Sequence, residues 1–135
     1  MTGLLLDTHV LVWLLEDESS VGPQTRAAAN RALAEDGLFV SAISFWEVAM
    51  LQQKGRLALA MTPGNWRRAV IGRQIREIPV DGGIGMAAVD LPRFHADPAD
   101  RMIVATAQRA GMTMATADGR ILDWDGPLDR LDARQ

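Results

Sequence analysis

The sequence predicts one α/β domain: a mostly parallel central sheet flanked by helices on both faces, three layers in all. Three observations carry that prediction. Short, nearly unbroken apolar runs at residues 4–6, 38–40 and 112–115 have the composition of strands buried on both faces, as parallel sheets require. Segments of helical periodicity separate them, and alternating strands and helices call for right-handed crossovers. Finally, 135 residues with 48% hydrophobic and 23% charged side chains suffice for one core without covalent staples. Internal repeats, low-complexity runs and linkers are lacking, so residues 1–135 are expected to form a single domain.

Residues 3–6, Gly-Leu-Leu-Leu, read as the first strand and end at Asp7. A helix is expected from Thr8 through residue 17, capped by Asp7 or Thr8. Asp7 admits two readings: an ordinary N-cap, or an acid at the carboxyl end of a buried strand, where open α/β sheets bind their ligands. His9 is either a ligand or a packed or surface residue beside the helix start. Residues 23–35 are the second helix, closed by Asp36-Gly37, and residues 38–40 the second strand. Ser41 then caps a helix that Gly55 stops. On this helix Ile43, Glu47 and Leu51 are spaced by four, with Trp46 and Met50 alongside, which puts Glu47 inside the apolar stripe. An unpaired buried carboxylate costs on the order of several kcal/mol, or takes up a proton. Glu47 is therefore paired, metal-bound, or at an edge where it reaches water.

Residues 63–73 are expected to be helical, and residues 74–80 lead through Ile75 and Ile78 into a third strand. A helix over residues 81–90 tolerates three glycines before Leu91-Pro92 breaks it. The segment His-Ala-Asp-Pro-Ala-Asp-Arg at residues 95–101 opens the next helix. With Asp97 as N-cap, Pro98 takes the first helical position and Asp100 the third. Asp100 then shares a face with Ile103, Val104 and Ala107. Taken alone it reads as a capping-box acid complementing the helix dipole; its place on the buried face is what sets it apart. Residues 112–115 form the fourth strand, and Thr116-Ala117-Asp118-Gly119 places one more acid past a strand end, in what is also a turn signal. Residues 127–131 are expected as a short edge strand.

Composition narrows the function. The absence of cysteine excludes disulfides and thiolate metal sites and agrees with a reducing cytoplasm. The amino-terminal apolar run is broken by Asp7 and His9 and lacks a basic leader, so neither a signal peptide nor a membrane span is expected. The net charge of -3 taken alone disfavours nucleic acid, but setting aside Asp7, Glu47, Asp100 and Asp118 leaves a slightly basic remainder. All cations except Lys54 are arginine, which suits bidentate phosphate contacts but equally reflects genome composition.

Two of these acids close strands and two sit in early turns of helices that should pack over one sheet edge. Gathered carboxylates repel and hold protons unless a cation neutralises them. With almost purely oxygen ligands, the cation would be Mg²⁺ or Mn²⁺, and such a site suits phosphodiester hydrolysis.

The blocks LLLDTHVLVWLL, SAISFWEVAML, HADPADRMIVATAQ and TADGRI, in this order and spacing, resemble the PIN-domain family, and within it the VapC-type ribonuclease toxins of toxin–antitoxin pairs. The likeness covers residues 4–121. It implies a sheet of order 3-2-1-4-5 and Mg²⁺- or Mn²⁺-dependent cleavage of RNA. It also implies a cytoplasmic homodimer restrained by a small antitoxin whose tail enters the active-site groove. The family's acids match Asp7, Glu47, Asp100 and Asp118. On this resemblance Asp7 and Asp100 are the principal metal ligands, Asp118 completes the site, and Glu47 orients or deprotonates the attacking water. Arg101 and Arg120 are phosphate contacts or outward-facing solvated residues. His9 stands where many members carry Asn or Ser. Trp13, Trp46 and Trp66 are expected in the core or the groove, and an exposed Trp46 or Phe45 beside the acids would mark antitoxin docking. The competing functions are a small metal-dependent phosphatase and a catalytically inactive RNA- or protein-binding module. The first lacks Asp-x-Asp after its first strand, and the second is disfavoured by the presence of all four acids.

Overall fold

The computed structural model describes residues 3–16 and 19–135. Along them run β1 (Leu4–Leu6), α1 (Thr8–Leu15), α2 (Pro23–Ala34), β2 (Leu38–Ser41), α3 (Ala42–Gln53), α4 (Pro63–Gly72), β3 (Arg76–Ile78), α5 (Gly82–Val89), α6 (Pro98–Ala110), β4 (Thr113–Thr116), α7 (Gly119–Leu122) and β5 (Arg130–Asp132). The strands form one sheet in the order β3-β2-β1-β4-β5, with every neighbouring pair parallel. The expected order is therefore found, and the sheet is wholly rather than mostly parallel.

Strand alternation explains the layers. Leu4, Leu6, Val40 and Ala115 pack with Val10, Leu11, Val48 and Val70 on one side. Leu5 and Met114 pack with Ile103, Val104, Ala107 and Ile121 on the other. Leu5 and Leu6 are both fully buried, and each contributes about 1.5–3 kcal/mol. Burial on both faces lets so short a strand hold the middle of the sheet. Ile84, Ala88 and Ala105 form a smaller cluster between α5 and α6.

The chain lays down β1, β2 and β3 in one direction, then returns to the far side of β1 for β4 and β5. The order reverses between β1 and β4, and at such a switch point the loops leaving the strand carboxyl ends diverge and open a crevice. Asp7 follows β1 directly, and Thr116 closes β4.

Several boundaries differ from the sequence expectation. β3 starts at Arg76 because Gln74 adopts a left-handed φ of 69° as the chain leaves α4. β4 starts one residue later than expected, since the Met112 amide is spent on the Ala107 carbonyl at 2.9 Å, closing α6. Gly111, at φ 66°, makes that closure. β5 is shifted to Arg130–Asp132. The Arg130 guanidinium there anchors on the carbonyls of Ile121, Trp124, Gly126 and Leu128, which holds residues 123–128 as a loop after α7. The expected end of α1 at residue 17 lies outside the described residues. The glycine-rich α5 forms as expected: Asp81 caps it through the Ile84 amide at 2.9 Å. Among the described residues, no helix is long and apolar enough to cross a membrane.

Candidate active site

Asp7 is 2% exposed. Its backbone amide still belongs to the sheet, donating to the Ala115 carbonyl at 2.9 Å, while its carboxylate turns into the switch-point crevice. Oδ1 accepts from the Thr8 amide at 2.9 Å and Oδ2 from the Thr116 hydroxyl at 2.6 Å. Burial pushes the carboxyl up to about 6, against those two hydrogen bonds and with help from the charges of Asp118 and Asp97. The N-cap reading and the strand-end reading of this residue are both realised.

Asp100 is 6% exposed. It does not cap its helix; Asp97 does, with Oδ1 accepting from the amides of Ala99 at 3.0 Å and Asp100 at 3.3 Å. Relieved of that task, Asp100 turns inward and its Oδ2 meets His95 Nε2 at 2.6 Å and Arg120 Nη2 at 3.5 Å. Burial pushes it too up to about 6, opposed by the His95 bond and reinforced by Asp7, Asp97 and Asp118.

Asp118 caps α7, accepting from the Arg120 amide at 2.9 Å. The Arg120 side chain then grips both carboxylate oxygens, Nε to Oδ1 at 3.2 Å and Nη2 to Oδ2 at 2.9 Å. That grip holds the Asp118 carboxyl below the usual range. The turn expected at this point is in fact the start of a short helix. Glu47 is half-buried on α3. Burial raises its carboxyl, and Asp7, Asp100 and Asp97 raise it further, against the Thr8 hydroxyl.

All four acids line one cleft of about 280 Å³, together with Asp97 and Arg120, and Val12, Trp13, Leu51 and Leu57 form its apolar wall. Ligand atoms of His95, Asp100 and Asp118 lie within 4.8 Å of one another. Among the described residues, Arg120 is the arginine within ion-pairing distance of the cluster, and it reaches Asp100 and Asp118, whereas no arginine is paired with the buried Asp7. Such excess negative charge, presented on hard oxygen donors, fits a divalent metal ion.

Other expectations need correction. Arg101 does not reach for phosphate: its guanidinium donates to the carbonyls of Phe94 at 2.7 Å, His95 at 2.9 Å, Ala88 at 2.9 Å and Val89 at 3.4 Å. A side chain one position past Asp100 on the helix points away from the cleft and into the loop before α6. His9 is a packed residue on the cleft wall. Its Nε2 accepts from the Ala117 amide at 3.0 Å, its Nδ1 lies 3.6 Å from Asp7 Oδ2, and its ring meets Trp13 edge-on at 5.0 Å. Burial lowers its pKa despite the surrounding acids. Of the tryptophans, Trp13 lines the cleft, Trp66 is core, and Trp46 is 52% exposed. His95, Asp97 and Thr116 are site residues that the sequence reading missed. Only the position of Thr116 two residues before Asp118 could have singled it out; His95 reaches Asp100 through a loop whose course no periodicity reveals.

Comparison with known proteins agrees with this fold. The sequence model of the PIN domain family matches residues 4–126. Ribonuclease VapC22 of Mycobacterium tuberculosis (strain ATCC 25618 / H37Rv) is 37% identical over 124 residues, covering 90% of this chain and 91% of that protein. FitAcB from Neisseria gonorrhoeae superposes with a TM-score of 0.65 at 21% identity, over 96% of this chain and 97% of that one. VapBC2 from Rickettsia felis, bound to a DNA fragment from its promoter, gives 0.66 at 15% identity, over 95% and 96%. A toxin–antitoxin complex from Klebsiella pneumoniae gives 0.62 at 20% identity, over 97% and 98%. At these identities the solved structures speak for the fold.

Proposed function

The chain belongs to the PIN domain family, and from that premise we propose that it is a metal-dependent endoribonuclease and the toxin of a toxin–antitoxin pair. The observation that carries the reading is the convergence of Asp7 and Asp100, both buried and both pushed up to about 6, on one cleft with Glu47 and Asp118. Nothing structural is gained by crowding unneutralised carboxylates; a cation makes the arrangement favourable.

Asp7 and Asp100 would hold the ion, with Asp118 completing its ligand set. An ion of the Mg²⁺ or Mn²⁺ class would supply Lewis-acid polarisation of a phosphoryl oxygen and a lowered pKa for a bound water. Glu47, across the cleft with its carboxyl raised by burial, orients the attacking water and takes its proton, as a base with a pKa moved toward neutrality does best. Arg120 is 60% exposed in its side chain and can leave Asp118 for a substrate phosphate. Trp13 and Leu57 on the apolar wall give an unstacked base a surface to lie on.

The partners follow from the relatives. One is named a ribonuclease and another is a toxin–antitoxin complex, which supports RNA as substrate and a small antitoxin as inhibitor. The exposed Trp46, with Ala49, Met50 and Pro63 beside it in a shallow groove separate from the acidic cleft, supports an apolar docking surface for that antitoxin. A homodimer belongs to the same reading.

The test is cleavage of single-stranded and structured RNA by the purified protein, with Mg²⁺ or Mn²⁺ and after chelation. Metal-dependent cleavage abolished by Asp7→Asn and by Asp100→Asn is expected. Cleavage that survives in both variants, or hydrolysis of a generic phosphomonoester in place of RNA, overturns the proposal.

A further inference from the structure

Arg101 and His95 pose one question: why does the loop entering α6 carry so many fixed contacts? Residues 88–95 are held from three directions. Arg101 donates to four of their carbonyls and its guanidinium lies 5.7 Å from the Phe94 ring centre. Phe94 is buried and meets Trp124 edge-on at 5.2 Å, and Trp124 Nε1 donates to the Pro92 carbonyl at 2.8 Å. Arg93 adopts a left-handed φ of 54° within this segment, a conformation that a non-glycine residue keeps only where its surroundings enforce it. The product of this rigidity is the placement of one ring. His95 stacks on Phe94 with ring centres 4.3 Å apart, its backbone carbonyl is bound by Arg101, and its Nε2 stands 2.6 Å from Asp100 Oδ2.

Both groups that approach the Asp100 carboxylate fall on the same oxygen: His95 at 2.6 Å and Arg120 at 3.5 Å both meet Oδ2. Among the described residues no hydrogen-bond donor meets Oδ1. The geometry points to His95 as a positioning residue for Asp100. Clamped by Arg101 and Phe94, its Nε2–H engages Oδ2, fixes the rotation of the carboxylate, and leaves the other oxygen for the cation. Arg101, adjacent to Asp100 in sequence, thus acts on it only by way of the loop and the imidazole. Groups that orient a metal-binding carboxylate in this way are worth roughly 10–100-fold in metal affinity.

This inference rests on the metal-site reading above, and Mn²⁺ titration by calorimetry on the full chain separates the two. The wild type, His95→Ala and His95→Gln are compared at pH 8, each with a thermal melt. Glutamine keeps an N–H donor at comparable reach but gives up the stack on Phe94. Mn²⁺ affinity weakened about tenfold or more in His95→Ala, and restored to within about threefold in His95→Gln, is the expected result. Wild-type affinity in His95→Ala overturns the inference while leaving the metal site standing. Equal weakening in both variants, paralleled by equal loss of melting temperature, overturns it in favour of simple packing. Absence of Mn²⁺ binding by the wild type overturns the metal-site reading, and this inference with it.

Discussion

Thr116 donates its hydroxyl hydrogen to Asp7 Oδ2 across 2.6 Å, a contact between residues 109 positions apart. The same oxygen, Thr116 Oγ1, accepts from the Asp118 amide at 3.1 Å. One buried hydroxyl at the end of β4 therefore fixes the acid that ends β1 and the turn that presents the acid capping α7.

Replacing Thr116 by Val keeps the shape and removes both bonds. The loss is expected to be about 1–3 kcal/mol, since it leaves a buried carboxylate and a half-buried amide short of partners. Thr116→Ser restores the donor and recovers most of it. Urea denaturation of the chelated protein reads the difference as a shift in midpoint at constant slope.

The pH dependence of the metal-free protein follows from Asp7, whose carboxyl rises from 3.8 to about 6. Between these values the folded chain binds more protons than the unfolded one, so stability falls as pH rises through that window. Above pH 6 the full penalty is present, and below about pH 4 it is absent. The shift corresponds to a cost on the order of 2–3 kcal/mol. Asp7→Asn is expected to raise the melting temperature at pH 8 by roughly 3–8 °C after partial loss of its hydrogen bonds. That gain should vanish near pH 4. Calorimetric scans in chelator at both pH values check it. Divalent-ion affinity runs the other way and declines below pH 6, because ligand carboxylates must be ionised.

Arg101→Lys is expected to destabilise the protein by about 1–3 kcal/mol, because an ammonium cannot serve four carbonyls that a guanidinium fork reaches. If Arg101 contacted phosphate instead, the substitution would weaken RNA binding at unchanged stability. Denaturation midpoints, measured beside RNA anisotropy, discriminate the two.

Arg120→Gln should have the opposite profile. Its guanidinium is largely exposed although Asp100 and Asp118 are not, so solvent screens the pairs and their contribution to stability stays within about 1 kcal/mol. A charge-assisted contact to substrate is worth about 1.5–3 kcal/mol, so RNA affinity should fall tenfold or more. Mn²⁺ affinity should hold or improve, since a competing cation leaves Asp100 and Asp118. Anisotropy with labelled RNA in an Asp7→Asn background, where cleavage is blocked, measures the first; calorimetry on Arg120→Gln alone measures the second.

What the sequence made legible was whatever depends on local pattern. The apolar run before Asp7, the Ser41 and Asp97 caps, and the misplaced Glu47 each announce an element and the acid attached to it. The gathering of the acids followed from crossover handedness, and the strand order from the family resemblance. Contacts made through loops stayed hidden. His95 meets Asp100 because Arg101, Phe94 and Trp124 shape residues 88–97, and nothing in the spacing of those residues encodes that path. Arg101 fits neither reading offered for it, phosphate contact or solvated surface residue, for the same reason: the carbonyls it serves lie on a path that the sequence does not encode. The boundaries of β3 and β5 were set by a left-handed Gln74 and by the anchored Arg130, both tertiary effects.

The most direct test of the central claim is the anomalous difference map of a crystal grown with Mn²⁺. The account predicts a peak within roughly 2–2.3 Å of carboxylate oxygens of both Asp7 and Asp100, with Asp118 adjoining it. A cleft that stays free of metal while the protein still cleaves RNA, or a peak bound away from these acids, would contradict it.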